Sequence, residues 1–365
     1  MVNAWMRRVF VSDCEGPIGK NNIAFELASH FIPEGDRIYN IIRMYDYVHA
    51  KFPERRDYHV GNAPKLVLPF LLAYDVSNKV LEDFSAANLV LLKGSKEAMG
   101  YVPRISEAFM VSTSYEHYVR ALCREIRFPL ENTYSMEVNL DKFVLSAKEK
   151  AKLKGLAWEI GGMPPITIPA NAKSLHDLSN RDRDSVSRLD RIFWKEVTGT
   201  HCKQLLSDVH VVEGFEKADA VREISNNLSA SLKDTMYVGD DWTDAEAMQF
   251  VRAGGGLTVA VNGDAAAVRS AELAVLTDRS AAIAVLADVF LRLGRAELTS
   301  VAGAFDKESL WRSAAEPKML DLLFEAPRAS WPKVRFVSEW NVEQVIAESV
   351  EYRKSVVGEP VKKTD

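Results

Sequence analysis

The chain has 365 residues and a formal net charge of −5; 47% of its residues are hydrophobic and 27% are charged. This length predicts two or three domains of ordinary globular composition, and the slightly acidic balance argues against nucleic acid as a main partner. The apolar runs are too short to cross a bilayer and the N-terminus does not resemble a signal peptide. We therefore predict a cytoplasmic protein without a membrane partner.

The first predicted element is a short buried strand at residues 9–11. Asp13 and Glu15 follow it, at the carboxyl end where an open α/β sheet binds its ligands. Because strand side chains alternate, both can point the same way, so one carboxylate could attack phosphorus while the other protonates the leaving oxygen. Cys14 points away from them and is expected to be buried and unreactive. The alternative is that both acids are only turn residues.

The next segment, residues 20–103, has apolar spacings typical of helices. The predicted helices cover 21–30, 36–52, 66–74, 77–84 and 97–101. This segment is therefore predicted to be an all-helical module inserted directly after the first strand.

A second strand is predicted at 108–114 and ends in the hydroxyl residues Ser112 and Thr113. These could hold a phosphate oxygen, or one of them could cap the helix predicted at 115–127. The alternating stretch 136–145 favours a strand pair or an edge strand.

The second half of the chain alternates between predicted strands and helices, which is typical of a doubly wound parallel sheet. Strands are predicted at 208–212, 235–238, 257–261 and 273–276. Lys217 opens the helix predicted at 218–228, where a cation opposes the helix dipole unless a phosphate or carboxylates compensate it. The alternative for this residue is a surface lysine.

Three aspartates, Asp240, Asp241 and Asp244, follow the strand at 235–238. Such crowding of negative charge requires a cation or a helix N-terminus to compensate it. Asp241 could cap the next helix, whereas Asp240 is the predicted metal ligand. Two acidic strand ends more than two hundred residues apart would thus converge on a metal-assisted phosphoryl-transfer site.

These stretches resemble the motifs of the haloacid-dehalogenase-like (HAD) hydrolase superfamily. The resemblance rests on D-C-E-G at 13–16, the hydroxyl-ended second strand, Lys217 and G-D-D-W-T-D at 239–244. More loosely, the layout resembles archaeal HAD proteins described as subunit R of an energy-converting hydrogenase. One departure is Glu15, since the phosphatases of this superfamily usually have aspartate at its position.

The resemblance implies a Rossmann-like core, an aspartyl-phosphate intermediate and Mg²⁺ as cofactor. Asp13 would be the nucleophile and Glu15 the general acid and base, while Ser112 or Thr113 and Lys217 would hold the phosphoryl group. The metal ligands would be Asp13, Glu15 through its carbonyl, and Asp240, supported by Asp241 or Asp244.

The resemblance also suggests a division of the chain. The core would comprise 1–19, 104–140 and 206–295, with a helical cap at 20–103, a second, mainly helical insertion at 141–205 and a C-terminal helical extension at 296–365. The leading hypothesis is a phosphatase for a small phosphorylated metabolite. The alternatives are a HAD-fold accessory or binding protein with little turnover, and a phosphotransferase or phosphomutase.

Overall fold

A mostly parallel β-sheet forms the centre of the fold in a computed structural model that describes residues 7–52, 61–169 and 171–356. Within these residues the strands are β1 (Val9–Ser12), β2 (Glu107–Tyr115), β3 (Thr133–Met136), β4 (Thr235–Gly239), β5 (Leu257–Val261), β6 (Leu273–Leu276) and β7 (Lys333–Phe336). Their order across the sheet is β3-β2-β1-β4-β5-β6-β7, and only β7 runs antiparallel to its neighbour. The predicted α/β fold with a Rossmann-like doubly wound sheet is confirmed.

The helices follow the strands in the alternation that the sequence predicts. In chain order they are α1 (Ile23–Phe31), α2 (Gly35–Lys51), α3 (Ala63–Ala73), α4 (Asn78–Ala87), α5 (Ser95–Tyr101), α6 (Glu116–Ile126), α7 (Ala147–Gly162), α8 (Asn180–Arg191), α9 (Cys202–Asp208), α10 (Phe215–Leu228), α11 (Ala245–Ala253), α12 (Ala265–Ser270), α13 (Ala281–Asp288), α14 (Arg295–Gly303), α15 (Lys307–Arg312), α16 (Pro317–Phe324) and α17 (Val342–Val356). Single π-helical segments extend α8 to Val197 and α13 to Leu293.

Different helices cover the two faces of the sheet. Successive side chains of each strand point to opposite faces, so they pack against different helices. On β1, Val9 and Val11 pack in the apolar cluster that contains residues of α10, α11, α12 and α17. Phe10 packs in the larger cluster on the other face, which includes α6, α13 and the inserted helices. Burial of both faces explains why the central strands read as continuous apolar runs.

Strand β1 has β2 on one side and β4 on the other, so the chain adds strands to one side of β1 first and then to the other side. The backbone N–H of Asp13 donates to the carbonyl of Val238 at 2.9 Å, so the ends of β1 and β4 lie side by side. An open α/β sheet binds ligands at such a topological switch point. The two acidic strand ends therefore meet at one place.

Two predicted strands are wrong. Residues 209–213 belong to no helix and pair with no strand of the described sheet, and residue 208 ends α9. Here the alternation of Val209 and Val211 reflects burial against helices. Of the stretch 136–145, only Met136 belongs to a strand, the edge strand β3, because Val138 and Leu140 are buried by side-chain packing without a ladder.

The segment between β1 and β2 is helical, as predicted, and contains α1 to α5. Residues 18–20 and 90–92 of this segment lie side by side, since Lys20 N donates to Val90 O and Leu92 N to Ile18 O. Helix α7 packs against α2 and α3, and α9 packs against α3, so the helices before β2 contact those after β3. The Tyr45 hydroxyl joins them by donating to Asp190 Oδ1 at 2.6 Å. The proposed domain boundaries themselves remain a prediction.

The C-terminal part of the chain adds an unpredicted strand, β7, to the edge of the sheet beside β6. Helix α17 then packs against α12 and β6, close to the switch point. Within the described residues, no helix has both the length and the apolar character that a membrane span requires.

Candidate active site

Asp13 and Lys217 form a buried ion pair at the centre of the site. Lys217 Nζ donates to Asp13 Oδ2 at 2.5 Å and to Asp244 Oδ1 at 2.7 Å, and none of these side chains is more than 4% exposed. Burial raises the pKa of Asp13 to about 6, although the ammonium of Lys217 opposes this rise. Burial lowers the pKa of Lys217, but Asp13 and Asp244 outweigh that effect and raise it well above its usual value. Lys217 is therefore a permanent cation beside Asp13.

Asp244 orders the loop after β4. Its Oδ1 accepts from Lys217 and from the Tyr237 hydroxyl at 2.7 Å, and its Oδ2 accepts from the backbone N–H groups of Asp240 at 2.9 Å and Asp241 at 3.3 Å. Four donors thus occupy this carboxylate. Asp241 caps the short 3₁₀ turn at 242–244 that leads into α11, because its side chain accepts from Thr243 N at 2.9 Å and forms a capping box with Asp244. The predicted capping role therefore holds for this turn, whereas Asp244 is the N-cap of α11 itself.

The carboxylates of Asp13, Asp240 and Asp244 offer oxygen atoms that lie within 4.8 Å of one another, and all three residues are buried. An all-oxygen, anionic donor set fits Mg²⁺, which prefers carboxylate ligands. Since Asp244 is already occupied by four donors, Asp13 and Asp240 have more capacity to hold an ion. Asp241 does not belong to this group of three; its Oδ2 lies 3.7 Å from Arg43 Nη2.

The backbone of Gly16 lies directly against Asp240. Gly16 has φ +82°, and a Cβ atom at this position would lie 2.2 Å from Asp240 Cγ. Only glycine combines this conformation with so close an approach. The loop that follows β1 is therefore shaped around the carboxylate that follows β4.

Arg353, from α17, is a site residue that the sequence analysis missed. Its Nη1 donates to Asp240 Oδ2 at 2.5 Å, to Asp240 O at 2.9 Å and to Asn262 O at 3.2 Å. Burial raises the pKa of Asp240 well above its usual value, although Arg353 opposes this rise. No motif signals Arg353, because 113 residues separate it from Asp240. Tyr237 was also missed, although it lies in the predicted strand two residues before Gly239.

Glu15 lies beside the N-terminus of α1, where its Oε1 accepts from Ile23 N at 2.9 Å. Burial raises the pKa of Glu15 to about 8, with the hydrogen bond from Ile23 opposing the rise and Asp13 adding to it. Such a rise favours the protonated carboxyl group, which can donate a proton. Cys14 is fully buried against Met110, as expected, and burial raises the pKa of its thiol well above the usual value.

A polar cavity of about 50 Å³ lies next to this cluster, between the core and the inserted helices. Among the residues that line it are Glu15, Thr113, Ser114, Asp241 and Thr243 from the core, and Tyr39, Arg43 and Asp46 from α2. Ser112 does not line the cavity; it is fully buried, and its hydroxyl accepts from Ser114 N at 3.3 Å. Of the two predicted hydroxyl residues, Thr113 thus faces the site while Ser112 supports the strand end.

The fold of the entire chain resembles that of the gene product AF1437 from Archaeoglobus fulgidus. The TM-score is 0.75, with 19% sequence identity over 97% of this chain and 97% of that chain. Because the identity is so low, the likeness shows a shared fold and says nothing about activity.

Two further solved structures align more weakly. One is a phospho-aspartyl intermediate analogue of phosphoserine phosphatase, with a TM-score of 0.43 and 11% identity over 73% of this chain and 92% of its own. The other is a HAD family hydrolase from Salmonella enterica serovar Typhi, with a TM-score of 0.40 and 10% identity over 70% of this chain and 62% of its own. Likenesses this weak support no argument about this chain.

No protein-family model matches the chain, and no protein with a curated description matches its sequence. Membership of the HAD superfamily therefore stays a prediction, whereas the expected Rossmann-like α/β fold is confirmed. It agrees with the sheet order and with the meeting of the β1 and β4 ends at the switch point. The looser resemblance to a hydrogenase subunit stays a prediction.

Proposed function

We propose that this protein is a Mg²⁺-dependent phosphatase that hydrolyses a small phosphorylated metabolite through an aspartyl-phosphate intermediate on Asp13. The observation that supports this most is the position of Lys217, whose ammonium group bridges Asp13 and Asp244 inside a cluster of three buried aspartates. A buried cation beside a carboxylate at a sheet switch point suits the transfer of a dianionic phosphoryl group.

In the proposed reaction, an oxygen of Asp13 attacks phosphorus and the bond between phosphorus and the ester oxygen breaks. The protonated carboxyl of Glu15 donates its proton to the departing oxygen. Water then attacks the aspartyl phosphate while Glu15 takes a proton back, which releases inorganic phosphate and restores Asp13. Lys217 and Thr113 hold the phosphoryl oxygens during both steps.

Asp13 and Asp240 would hold the Mg²⁺ ion, with the Glu15 carbonyl as a further ligand and Asp241 and Asp244 in support. When bound, the ion neutralises negative charge on the phosphoryl group. Residues 20–103 would act as a cap, because Arg43 and Asp46 on α2 reach over the cavity from that segment. We further infer a cytoplasmic protein whose main partner is this metabolite.

A binding or accessory function is the second candidate. It is favoured by the contact between Arg353 and Asp240, which already neutralises a predicted metal ligand, and by glutamate at position 15. The two candidates differ in turnover, so a direct assay separates them.

The test is phosphate release from p-nitrophenyl phosphate and a panel of metabolite phosphates, with Mg²⁺ and with EDTA. We expect release to need Mg²⁺ and to fall at least about a thousandfold in Asp13→Asn, which removes the nucleophile. The matched control is Asp219→Asn, the same change on an exposed carboxylate of α10. If folded protein that binds Mg²⁺ releases no phosphate from any ester, the accessory function replaces this proposal.

A further inference from the structure

We propose that the cavity beside Asp13 selects phosphate esters that carry an ammonium group, and that Glu213 binds this group. The proposal rests on the phosphatase function proposed above and adds the class of substrate to it. The main evidence for it is the buried carboxyl group of Glu213, which has no role in the proposed hydrolysis.

Glu213 ends the segment 209–213, which connects α9 to α10. Val209, Val211 and Glu213 occupy alternate positions and are 2%, 9% and 2% exposed, so the glutamate takes an inward-facing position after two valines. Gly214 N donates to the carbonyl of Thr243 at 3.0 Å, which fixes this segment to the loop after β4. Glu213 thereby lines the same cavity as Glu15 and Asp241.

The Glu213 carboxylate is unsatisfied. Its Oε2 is buried and has no hydrogen-bond partner among the described residues. An ionised carboxylate at this buried position costs several kcal/mol without a partner, and a cationic ligand would offset that cost. The surrounding backbone nevertheless makes room for it: Gly61 has φ +86°, and a Cβ atom there would lie 1.0 Å from Oε2. The fold thus leaves space at Gly61 for the Glu213 carboxyl group.

The charges around Glu213 indicate the nature of that ligand. Burial raises the pKa of Glu213 well above its usual value, Asp46, Asp241 and Asp13 add to this rise, and among the described residues Lys217 opposes it. Lys217 is committed to Asp13 and Asp244, and Arg43 lies beside Asp241 at 3.7 Å. Asp46 accepts from the backbone N–H groups of Gly61 and Ala63. A second anionic group on the substrate would meet repulsion here, whereas an ammonium group would neutralise the site.

The two ends of such a substrate would be held by one short piece of chain. Lys217 faces Asp13, where phosphate would bind, and Glu213 lies four residues earlier on the cavity side. The cavity volume of about 50 Å³ favours a short chain between the two groups. The predicted class is therefore a small aminoalkyl phosphate.

The first experiment compares hydrolysis of esters that share the phosphate and differ at the far end. These are 2-aminoethyl phosphate, propyl phosphate, 2-hydroxyethyl phosphate and phosphoglycolate. We expect kcat/KM for 2-aminoethyl phosphate to exceed that for the isosteric propyl phosphate at least about tenfold, as a charge-assisted contact would give. In parallel, 3-aminopropylphosphonate should bind at least about tenfold more tightly than butylphosphonate by calorimetry in the presence of Mg²⁺.

The variant Glu213→Gln keeps the shape of the side chain and cannot carry a negative charge. We expect the ratio of kcat/KM for 2-aminoethyl phosphate to kcat/KM for propyl phosphate to fall at least about tenfold, toward one. The matched control is Glu216→Gln, three residues away and exposed, which should keep the wild-type ratio. If Glu213→Gln does not fold, the kcat/KM ratios and the phosphonate affinities of the wild type still test the proposal.

The outcomes separate this proposal from the one it rests on. Equal kcat/KM values for the amino and propyl esters would overturn the inference and leave the phosphatase intact. Preference for phosphoglycolate would also overturn it, because Glu213 would then donate to a carboxylate. Selective binding of the aminoalkyl phosphonate without hydrolysis of any ester would support the ligand class and reject the phosphatase.

Discussion

At the scale of single residues, the site depends on the contact between the Gly16 backbone and the Asp240 carboxylate. This contact joins the end of β1 to the end of β4 and leaves no space for a Cβ atom. Lys217 adds the second connection between these strand ends, since it binds Asp13 and Asp244 together. The positions of the acidic groups are thus set by one glycine and one lysine.

We expect Gly16→Ala to displace Asp240 and to weaken Mg²⁺ binding at least about tenfold. It should also lower the free energy of unfolding by more than about 1 kcal/mol, because alanine at positive φ is strained. Calorimetric titration and denaturant unfolding measure the two effects. Gly155→Ala is the control, because this exposed glycine of α7 has open space around it, and there we expect unchanged binding and a gain of about 0.5–1 kcal/mol. Unchanged Mg²⁺ affinity in Gly16→Ala would contradict the assignment of Asp240.

At the scale of elements, helix α17 supplies a cation to a strand end that it does not follow in the chain. Arg353 binds both the side chain and the carbonyl of Asp240, and Ser349 on the same helix donates to Gly263 O at 2.7 Å. The helix therefore holds the loops after β4 and β5 in place. A C-terminal extension thus becomes part of the candidate site.

The role of the Arg353 guanidinium group can be tested by removing it. In Arg353→Ala the buried Asp240 loses its partner, and we expect the free energy of unfolding without metal to fall by about 3 kcal/mol. Because a bound cation would replace the lost charge, saturating Mg²⁺ should stabilise this variant more than the wild type. Thermal unfolding with Mg²⁺ and with EDTA measures both effects. Lys354→Ala, which changes an exposed residue of the same helix, should have almost no effect. An equal loss of unfolding free energy in Lys354→Ala would show that the effect comes from the helix and not from the contact with Asp240.

At the scale of the whole molecule, Asp288 connects three separate parts of the chain. Its carboxylate accepts from the Tyr101 hydroxyl at 2.5 Å, from Arg292 Nε at 2.7 Å and from Glu316 N at 2.8 Å. These groups lie on α5 of the inserted segment, on the π-helical extension of α13 and at the start of α16. The inserted helices, the core and the C-terminal region thus share one buried anion.

The stability of this junction should depend on pH. Burial acts to raise the pKa of Asp288, but the hydrogen bonds from Arg292, Tyr101 and Glu316 outweigh it, so the pKa lies below its usual value of 3.8. A depressed folded pKa stabilises the fold above the unfolded pKa, and the contribution disappears as the pH falls through the folded value.

We therefore expect Asp288→Asn to cost about 2 kcal/mol at pH 7, and its difference from the wild type should shrink below about pH 4. Urea unfolding across this range is the measurement. Asp83→Asn changes an exposed carboxylate and should show neither effect. A difference that stays constant down to pH 2 would contradict the ionic role of Asp288.

The sequence by itself determined the elements that carry the site. The apolar runs of β1, β4 and β5 and the glycines after them are local signals, and Asp13, Lys217 and Asp240 follow from their places at strand or helix ends. The alternation of apolar and polar residues was misleading at 208–212 and 136–145. Buried valines and leucines alternate in the same way in a hydrogen-bonded strand and in a segment that only packs against helices.

Only the tertiary structure decided which distant groups complete the site. No local signal marks Arg353 or Glu213 as a site residue, since their roles depend on which elements pack beside β4 and α2. Likewise, Ser112 and Thr113 are equivalent in the sequence, and the packing of β2 decides that Thr113 lines the cavity. Local signals arise from backbone preference and strand or helix period, whereas a buried charge finds its partner only when separate elements meet.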